Sequence, residues 1–230
     1  MIAIVLPAHN EAAHLPRALE AIRTAAAHRA LGGERVQTVV ALDGCTDASE
    51  SIARAAGVDV VHTPGGNVGI ARAAGARHAL ACGARWLAFT DADSEVDADW
   101  LAAQLALRAD VVCGTVQVDQ WCEWGDRGDR VRARHDAAYF DGDGHRHVHG
   151  ANLGVSAAAY LRAGGFGPHR SSEDVALVRA LEASGAHVVW SARPRVTTSA
   201  RRDARAPGGF GALLARLEAE LHEPCASSPA

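Results

Sequence analysis

Asp91 and Asp93 are two carboxylates separated by one small residue, Ala92, at the end of the apolar run Trp86-Leu87-Ala88-Phe89-Thr90. The run is short and bounded by Gly83 and by the polar Ser94-Glu95, so it reads as a buried strand. Side chains alternate along a strand, which sets Asp91 and Asp93 on one side. Carboxylates are rarely buried without a partner. A divalent magnesium or manganese ion, held by one or two carboxylates together with substrate phosphates, supplies the needed counter-charge. The same pair precedes a helical pattern, so a helix N-cap is the other reading of this Asp-x-Asp.

The elements that would position these acids follow from the hydrophobic pattern. Ile2 to Leu6 is a continuous apolar run, expected where a strand is covered on both faces. Leu15, Leu19 and Ile22 then recur at helical spacing, and Gly32-Gly33 closes that segment. Val36 to Leu42 predicts a second strand, ending on Asp43-Gly44-Cys45-Thr46-Asp47, where Thr46 or Asp47 can cap a helix over 48–56. Val58 to Val61 predicts a third strand, and Gly65 to Gly69 a turn into a helix from Ile70 to Ala81. Strand and helix alternate, which implies an α/β fold with a mostly parallel central sheet and helices on both faces. In such sheets ligands sit beyond the carboxyl ends of the strands. Asn10-Glu11, Asp43, Asn67-Gly69 and Asp91-Asp93 all fall there.

Further along, helices are expected at Trp100 to Leu107, Arg127 to Phe140, Ala157 to Ala163, behind Ser171-Ser172-Glu173-Asp174, and at Phe210 to Leu221. Ala109 to Val118 is strand-like, His187 to Trp190 reads as a last strand, and Arg193 to Arg205 as a basic loop. One domain over 1–222 is expected: a donor half at 1–93, an acceptor half at 94–205, a C-terminal helix at 206–222, and a flexible tail at 223–230.

Composition narrows the partners. The chain has 230 residues, a net charge of -4 and 48% hydrophobic residues, which points to a sizeable core and away from nucleic acid. It contains no lysine, so a phosphate clamp must use arginine, helix N-termini or metal, and the usual P-loop is excluded. No Gly-x-Gly-x-x-Gly follows the first strand, which counts against a dinucleotide dehydrogenase. The five scattered cysteines fit a reduced, cytoplasmic chain. No apolar stretch reaches membrane-spanning length, and the first residues lack a basic leader, so neither a membrane span nor a signal peptide is expected.

Taken in order, the polar motifs resemble those of family 2 glycosyltransferases with the GT-A fold, over Ile2 to about Arg201. Pro7-Ala8-His9-Asn10-Glu11 is similar to the opening strand-to-loop motif, and Asp43-Gly44-Cys45-Thr46-Asp47 to Asp-Gly-Ser-x-Asp. Asn67-Val68-Gly69-Ile70-Ala71-Arg72 resembles the Gly-x-Ala-Arg segment, and Asp91-Ala92-Asp93 the metal motif. Gly150-Ala151-Asn152-Leu153 with Gly164-Gly165-Phe166 resembles the acceptor-side segment, and Glu173-Asp174 the catalytic acidic pair.

The resemblance implies a metal-dependent, inverting transfer of a sugar from a nucleotide-diphosphate sugar to a small-molecule, lipid or saccharide hydroxyl. Pro7, Ala8, Asn10, Glu11 and Asp43 would line the nucleotide, with Asn67, Gly69 and Arg72 towards the donor. Asp91 and Ala92 would lie at the ribose or sugar, Asp93 would hold Mn2+ or Mg2+ with Asp91 beside it, and Asp174 would be the general base. Glu173 is second choice as base and is assigned, with His149, Gly150, Ala151 and Asn152, to the acceptor side. Two positions depart from the pattern. Arg72-Ala73-Ala74-Gly75 replaces Arg-Asn-x-Gly, and Val196 to Arg201 lacks the late histidine. Arg201, or Arg202, is expected to supply positive charge to the diphosphate instead.

Three further groups invite chemistry. His145, His147 and His149 alternate like strand ligands for zinc, but no Cys or carboxylate accompanies them at ligand spacing. Trp121 and Trp124 could stack on an acceptor or belong to the core. Two alternatives to the transferase are a nucleotidyltransferase, whose Gly-rich basic loop Pro7 to Glu11 lacks, and an inactive donor-binding module.

Overall fold

The computed structural model describes residues 1–119, 121–202 and 210–221. Its eight strands are β1 (Ile2–Ala8), β2 (Val36–Asp43), β3 (Asp59–Thr63), β4 (Trp86–Phe89), β5 (Ser94–Val96), β6 (Val111–Asp119), β7 (Leu153–Ser156) and β8 (Val188–Ser199). Its helices are α1 (Leu15–Ala26), α2 (Ser49–Ala55), α3 (Val68–Ala81), α4 (Trp100–Ala106), α5 (Gly128–Ala138), α6 (Ala157–Arg162), α7 (Glu173–Ala183) and α8 (Phe210–Glu220). The strands form one sheet in the order β3-β2-β1-β4-β7-β6-β8-β5.

β1 shows why its sequence is apolar throughout. Ile2, Ile4 and Leu6 pack on one face with Leu15, Leu19 and Ile22 of α1 and Trp100 and Leu101 of α4. Ala3 and Val5 face the opposite way, among Ala76 and Ala79 of α3 and Leu177 and Leu181 of α7. A strand covered twice has no polar face to offer. Pairing is parallel from β3 through β2 and β1 to β4. The chain therefore leaves β3 at the edge and returns beside β1, opening the crevice in which such sheets bind ligands.

The second half corrects several expectations. β4 ends at Phe89, so Asp91 and Asp93 lie in the turn after it, closed by the Ser94 N–H on the Asp91 carbonyl at 3.2 Å. The next element is the strand β5, paired antiparallel with β8, and not a helix, which removes the N-cap reading. The basic stretch from Arg193 is not a loop: β8 continues to Ser199, because alternate residues such as Val196 turn inward. Its register against β6 slips between Gly114 and Thr115, where residues 192–194 form a bulge at Pro194, which has no N–H to give the ladder. In the first half, α1 ends at Ala26, and a 3-10 turn at Arg29–Leu31 separates it from Gly32. Trp124, Val131, Ala200 and Leu214 make a separate small core under α5 and α8. The expected tail at 223–230 and residues 203–209 lie outside the described residues.

Candidate functional site

The carboxyl ends of β1, β2 and β4 open on a cavity of about 500 Å³, closed on its other side by the loop before β7, the start of α7 and the end of β8. Asp43, the last residue of β2, is buried, and its carboxylate accepts from Thr63 Oγ1 at 2.9 Å and the Asn67 N–H at 3.0 Å. Asn67 is the N-cap of α3, its Oδ1 accepting from the Ile70 N–H at 3.0 Å, so the helix starts earlier than its apolar pattern suggests. The N-cap of α2 is Ala48, whose side chain cannot cap; Asp47, expected as a cap, stands one residue earlier and accepts from the Ser49 N–H and the Ala12 N–H, both at 2.9 Å.

Four acids and two arginines form the electrostatic centre. Arg72, on α3 and buried, bridges Asp91 and Glu173 through its two terminal nitrogens. Arg201, just past β8, donates to the Glu11 carboxylate at 2.6 and 2.8 Å and lies 3.1 Å from Asp93. Burial pushes the Asp93 carboxyl up to about 6; the Arg201 charge opposes this, and the nearby Asp91 and Glu11 charges reinforce it. A carboxylate so poorly compensated would gain from one more cation. The available donors are carboxylate oxygens, the set that Mg2+ and Mn2+ take, so Asp91 and Asp93 fit such an ion.

Opposite them stands Asp174, in the first turn of α7. Its Oδ2 accepts from the Gly150 N–H at 2.7 Å and its Oδ1 from the Val175 N–H at 2.8 Å. Two backbone donors fix its direction, and among the described residues no cationic side chain pairs with it. Gly150 also makes room for Arg72: a Cβ there would stand 2.5 Å from the guanidinium carbon. His149 Nε2 lies 3.0 Å from Tyr139 Oη, which itself accepts from the Val116 N–H. The two side chains share a hydrogen bond, and burial pulls the His149 pKa down to about 4, which favours the neutral imidazole.

The structure brings most of the expected residues to this cavity. Pro7, Ala8, Glu11, Asp43, Asn67 and Arg72 line it, as do Asp91, Ala92 and Asp93, and on the far side His149, Gly150, Ala151, Glu173, Asp174 and Arg201. Three expected residues do not. Asn10, at φ 55°, turns its Oδ1 to the Thr46 N–H at 2.8 Å, tying two loops together. Gly69 is required by a neighbouring loop, since a Cβ would lie 2.3 Å from the Gly167 carbonyl. Asn152 is fully buried, donating to the Thr115 and Pro194 carbonyls at 2.7 and 2.8 Å and accepting from Trp100 Nε1 at 2.8 Å. It locks the β8 bulge rather than touching an acceptor. Glu173 meets Arg72 and is 4% exposed, which suits positioning better than acceptor binding.

The remaining expectations resolve similarly. Trp124 is core, its Nε1 donating to the Ala200 carbonyl, and Arg202 stacks on its ring at 4.5 Å instead of entering the cavity. His145 spends both ring nitrogens, on the Cys113 carbonyl at 3.1 Å and the His147 N–H at 3.2 Å. Its ring, those of His147 and His149, and that of Tyr139 stack rather than converge on a point. Reading the sequence missed His9, Thr198, Ser199 and the α8 residues Phe210, Gly211 and Leu213 as cavity walls. His9 stood in a recognised motif; the others carried no local signal.

The glycosyl transferase family 2 model matches residues 3–162. This chain belongs to that family. The match by this family 2 chain ends before Glu173 and Asp174, so the acids on α7 rest on geometry. No curated protein matches it in sequence. Among solved structures, S. aureus TarS 1-349 in complex with UDP-GlcNAc is similar at TM-score 0.65 and 14% identity, over 95% of this chain and 65% of that one. A mannosyltransferase from Pyrobaculum calidifontis in complex with GDP-Man and Mn2+ is similar at TM-score 0.62 and 18% identity, over 96% and 69%. Glucosyl-3-phosphoglycerate synthase from Mycobacterium tuberculosis is similar at TM-score 0.59 and 18% identity, over 96% and 78%. The family 2 chain spans only 36% of another TarS chain. These likenesses establish its fold as GT-A. Among its described residues, no helix is long and apolar enough to cross a membrane.

Proposed function

We propose that this chain is an inverting glycosyltransferase of hexosyl type, moving a sugar from a nucleotide-diphosphate sugar to a hydroxyl acceptor with the help of Mn2+ or Mg2+. The observation that carries the proposal is the placement of Asp174 across one cavity from Asp91 and Asp93. Asp43, His9 and Glu11 would receive the nucleotide at the ends of β1 and β2. Arg201 would turn a guanidinium N–H to the diphosphate, and Asp93 with Asp91 would hold the metal. When bound, that ion neutralises charge gathering on the departing diphosphate. Asp174 would accept the proton of the acceptor hydroxyl as its oxygen bonds to the anomeric carbon and the bond to the diphosphate breaks. A single displacement inverts that carbon. The hydrogen bond from the Gly150 N–H, which fixes one oxygen of the Asp174 carboxylate, supports this role. Glu173 positions Arg72, which in turn holds Asp91. Free thiols at Cys45, Cys82 and Cys113 fit work in the cytoplasm.

Thermal unfolding with nucleoside diphosphates, in manganese and again in a chelator, tests the donor half. At least one nucleotide should raise Tm in a metal-dependent way, by mass action. Stabilisation without turnover on any acceptor would favour a donor-binding module; no stabilisation by any nucleotide would remove the proposal.

A further inference from the structure

A cluster of metal-ligating side chains lies away from the cavity, at the other end of α3. Asp59 opens β3, His78 sits in the last turn of α3, and Cys82 is its C-cap. His78 and Cys82 are four residues apart and share a helix face. Asp59 Oδ2 is 2.7 Å from His78 Nε2, Cys82 Sγ is 3.9 Å from the same nitrogen, and the three atoms lie within 4.8 Å of one another. At 1.5 Å rise per residue, Cys82 is about 15 Å along the helix from Arg72.

Both partners address one ring nitrogen. A proton relay of the Cys-His-Asp kind needs the acid and the thiol on opposite nitrogens, so that use is excluded by the geometry. Convergence on one point is instead what a metal requires. Tetrahedral zinc with ordinary bond lengths sets N···O near ~3.4 Å and N···S near ~3.6 Å. The observed N···O distance of 2.7 Å is shorter than that and the N···S distance of 3.9 Å is longer, so an ion would push the carboxylate outward and draw the thiol in by side-chain rotation. Gln37 is buried behind the acid and donates from Nε2 to Asp59 Oδ2 at 2.6 Å, an outer hydrogen bond of the kind that orients ligating carboxylates. The side chains of Asp59 and His78 are 43% and 38% exposed, which leaves an entry path.

We propose that Asp59, His78 and Cys82 form a second metal site, for a zinc-class ion, with water in the fourth position. A carboxylate and a thiolate would balance the charge of a divalent ion. The mixed O, N, S set separates this site from the all-oxygen site of Asp91 and Asp93, which favours Mg2+ or Mn2+. Among the described residues β3 is an edge strand, paired with β2 alone, so the ion would tie that edge to α3.

The metal-free full chain titrated with Co2+ tests this. One Co2+ per chain should produce a sulfur-to-cobalt charge-transfer band, which Zn2+ then displaces. The band should survive Asp93→Asn, vanish in Cys82→Ser, and weaken in His78→Ala, with zinc affinity falling at least about tenfold in either ligand variant. Cys82 is exposed, so its substitution leaves the core untouched. Absence of the band in the unaltered chain, or an unchanged band in Cys82→Ser, overturns the proposal.

Discussion

The Arg201 guanidinium stands 3.1 Å from the Asp93 carboxylate while donating to both oxygens of Glu11 at 2.6 and 2.8 Å. Strand β8 thus delivers a cation to acids from the ends of β1 and β4, at the position where the family resemblance leads one to look for a histidine.

Arg201→Ala should weaken binding of the nucleoside diphosphate. A hydrogen bond between charged groups is worth about 1.5–3 kcal/mol, which corresponds to roughly 10- to 150-fold in Kd. Isothermal calorimetry with the diphosphate and manganese measures this. Unchanged affinity together with unchanged turnover would place the diphosphate elsewhere.

Asp174→Asn keeps the shape of the side chain and an oxygen for the Gly150 N–H but cannot take a proton. The variant should unfold at nearly the same temperature and bind donor normally. Its turnover should drop by about 10²–10⁴-fold, the usual contribution of a positioned base. A near-normal rate moves the base to another group.

Asn152 predicts a different split. Replacing it with Ala strands Trp100 Nε1 and the Thr115 and Pro194 carbonyls in the core. Each unsatisfied buried group costs about 1–3 kcal/mol, so the total loss should exceed about 3 kcal/mol. Urea unfolding of Asn152→Ala checks it. A variant of native stability with a selective defect in acceptor KM would restore the acceptor-side role.

His149 supplies a pH dependence whose sign is set. Its folded pKa is pulled down to about 4 by burial, from an ordinary 6.5. Between those values the unfolded chain binds a proton that the folded chain refuses, so this residue's share of stability declines as pH falls from about 6.5 through about 4. His149→Asn should show a shallower decline than the unaltered chain across that window in urea titrations at stepped pH. Identical slopes would mean the imidazole titrates as in water.

The balance between what could be read early and late is clearest at particular residues. The glycine run announced a helix from Ile70, but Asn67, read only as part of the turn, caps α3 and starts it at Val68. Asn10 carried an equally good motif, yet at φ 55° its amide oxygen accepts from the Thr46 N–H and does not line the cavity. Glu173 and Asp174 are adjacent in sequence and diverge in use. One helical step of about 100° sets Glu173 against Arg72 and Asp174 against the Gly150 N–H, on the same cavity wall.

From the sequence alone came the alternating α/β order, the two-faced burial of β1 and the set of acids beyond the strand ends. These are local properties: periodicity, run length and turn chemistry act over a few residues. Only the tertiary structure decided that β8 runs through its basic residues to Ser199, that Arg201 reaches Glu11 and Asp93, and that Asn152 locks a bulge in β8. Those outcomes depend on contacts between segments distant in the chain, where burial and charge pairing outweigh local preference.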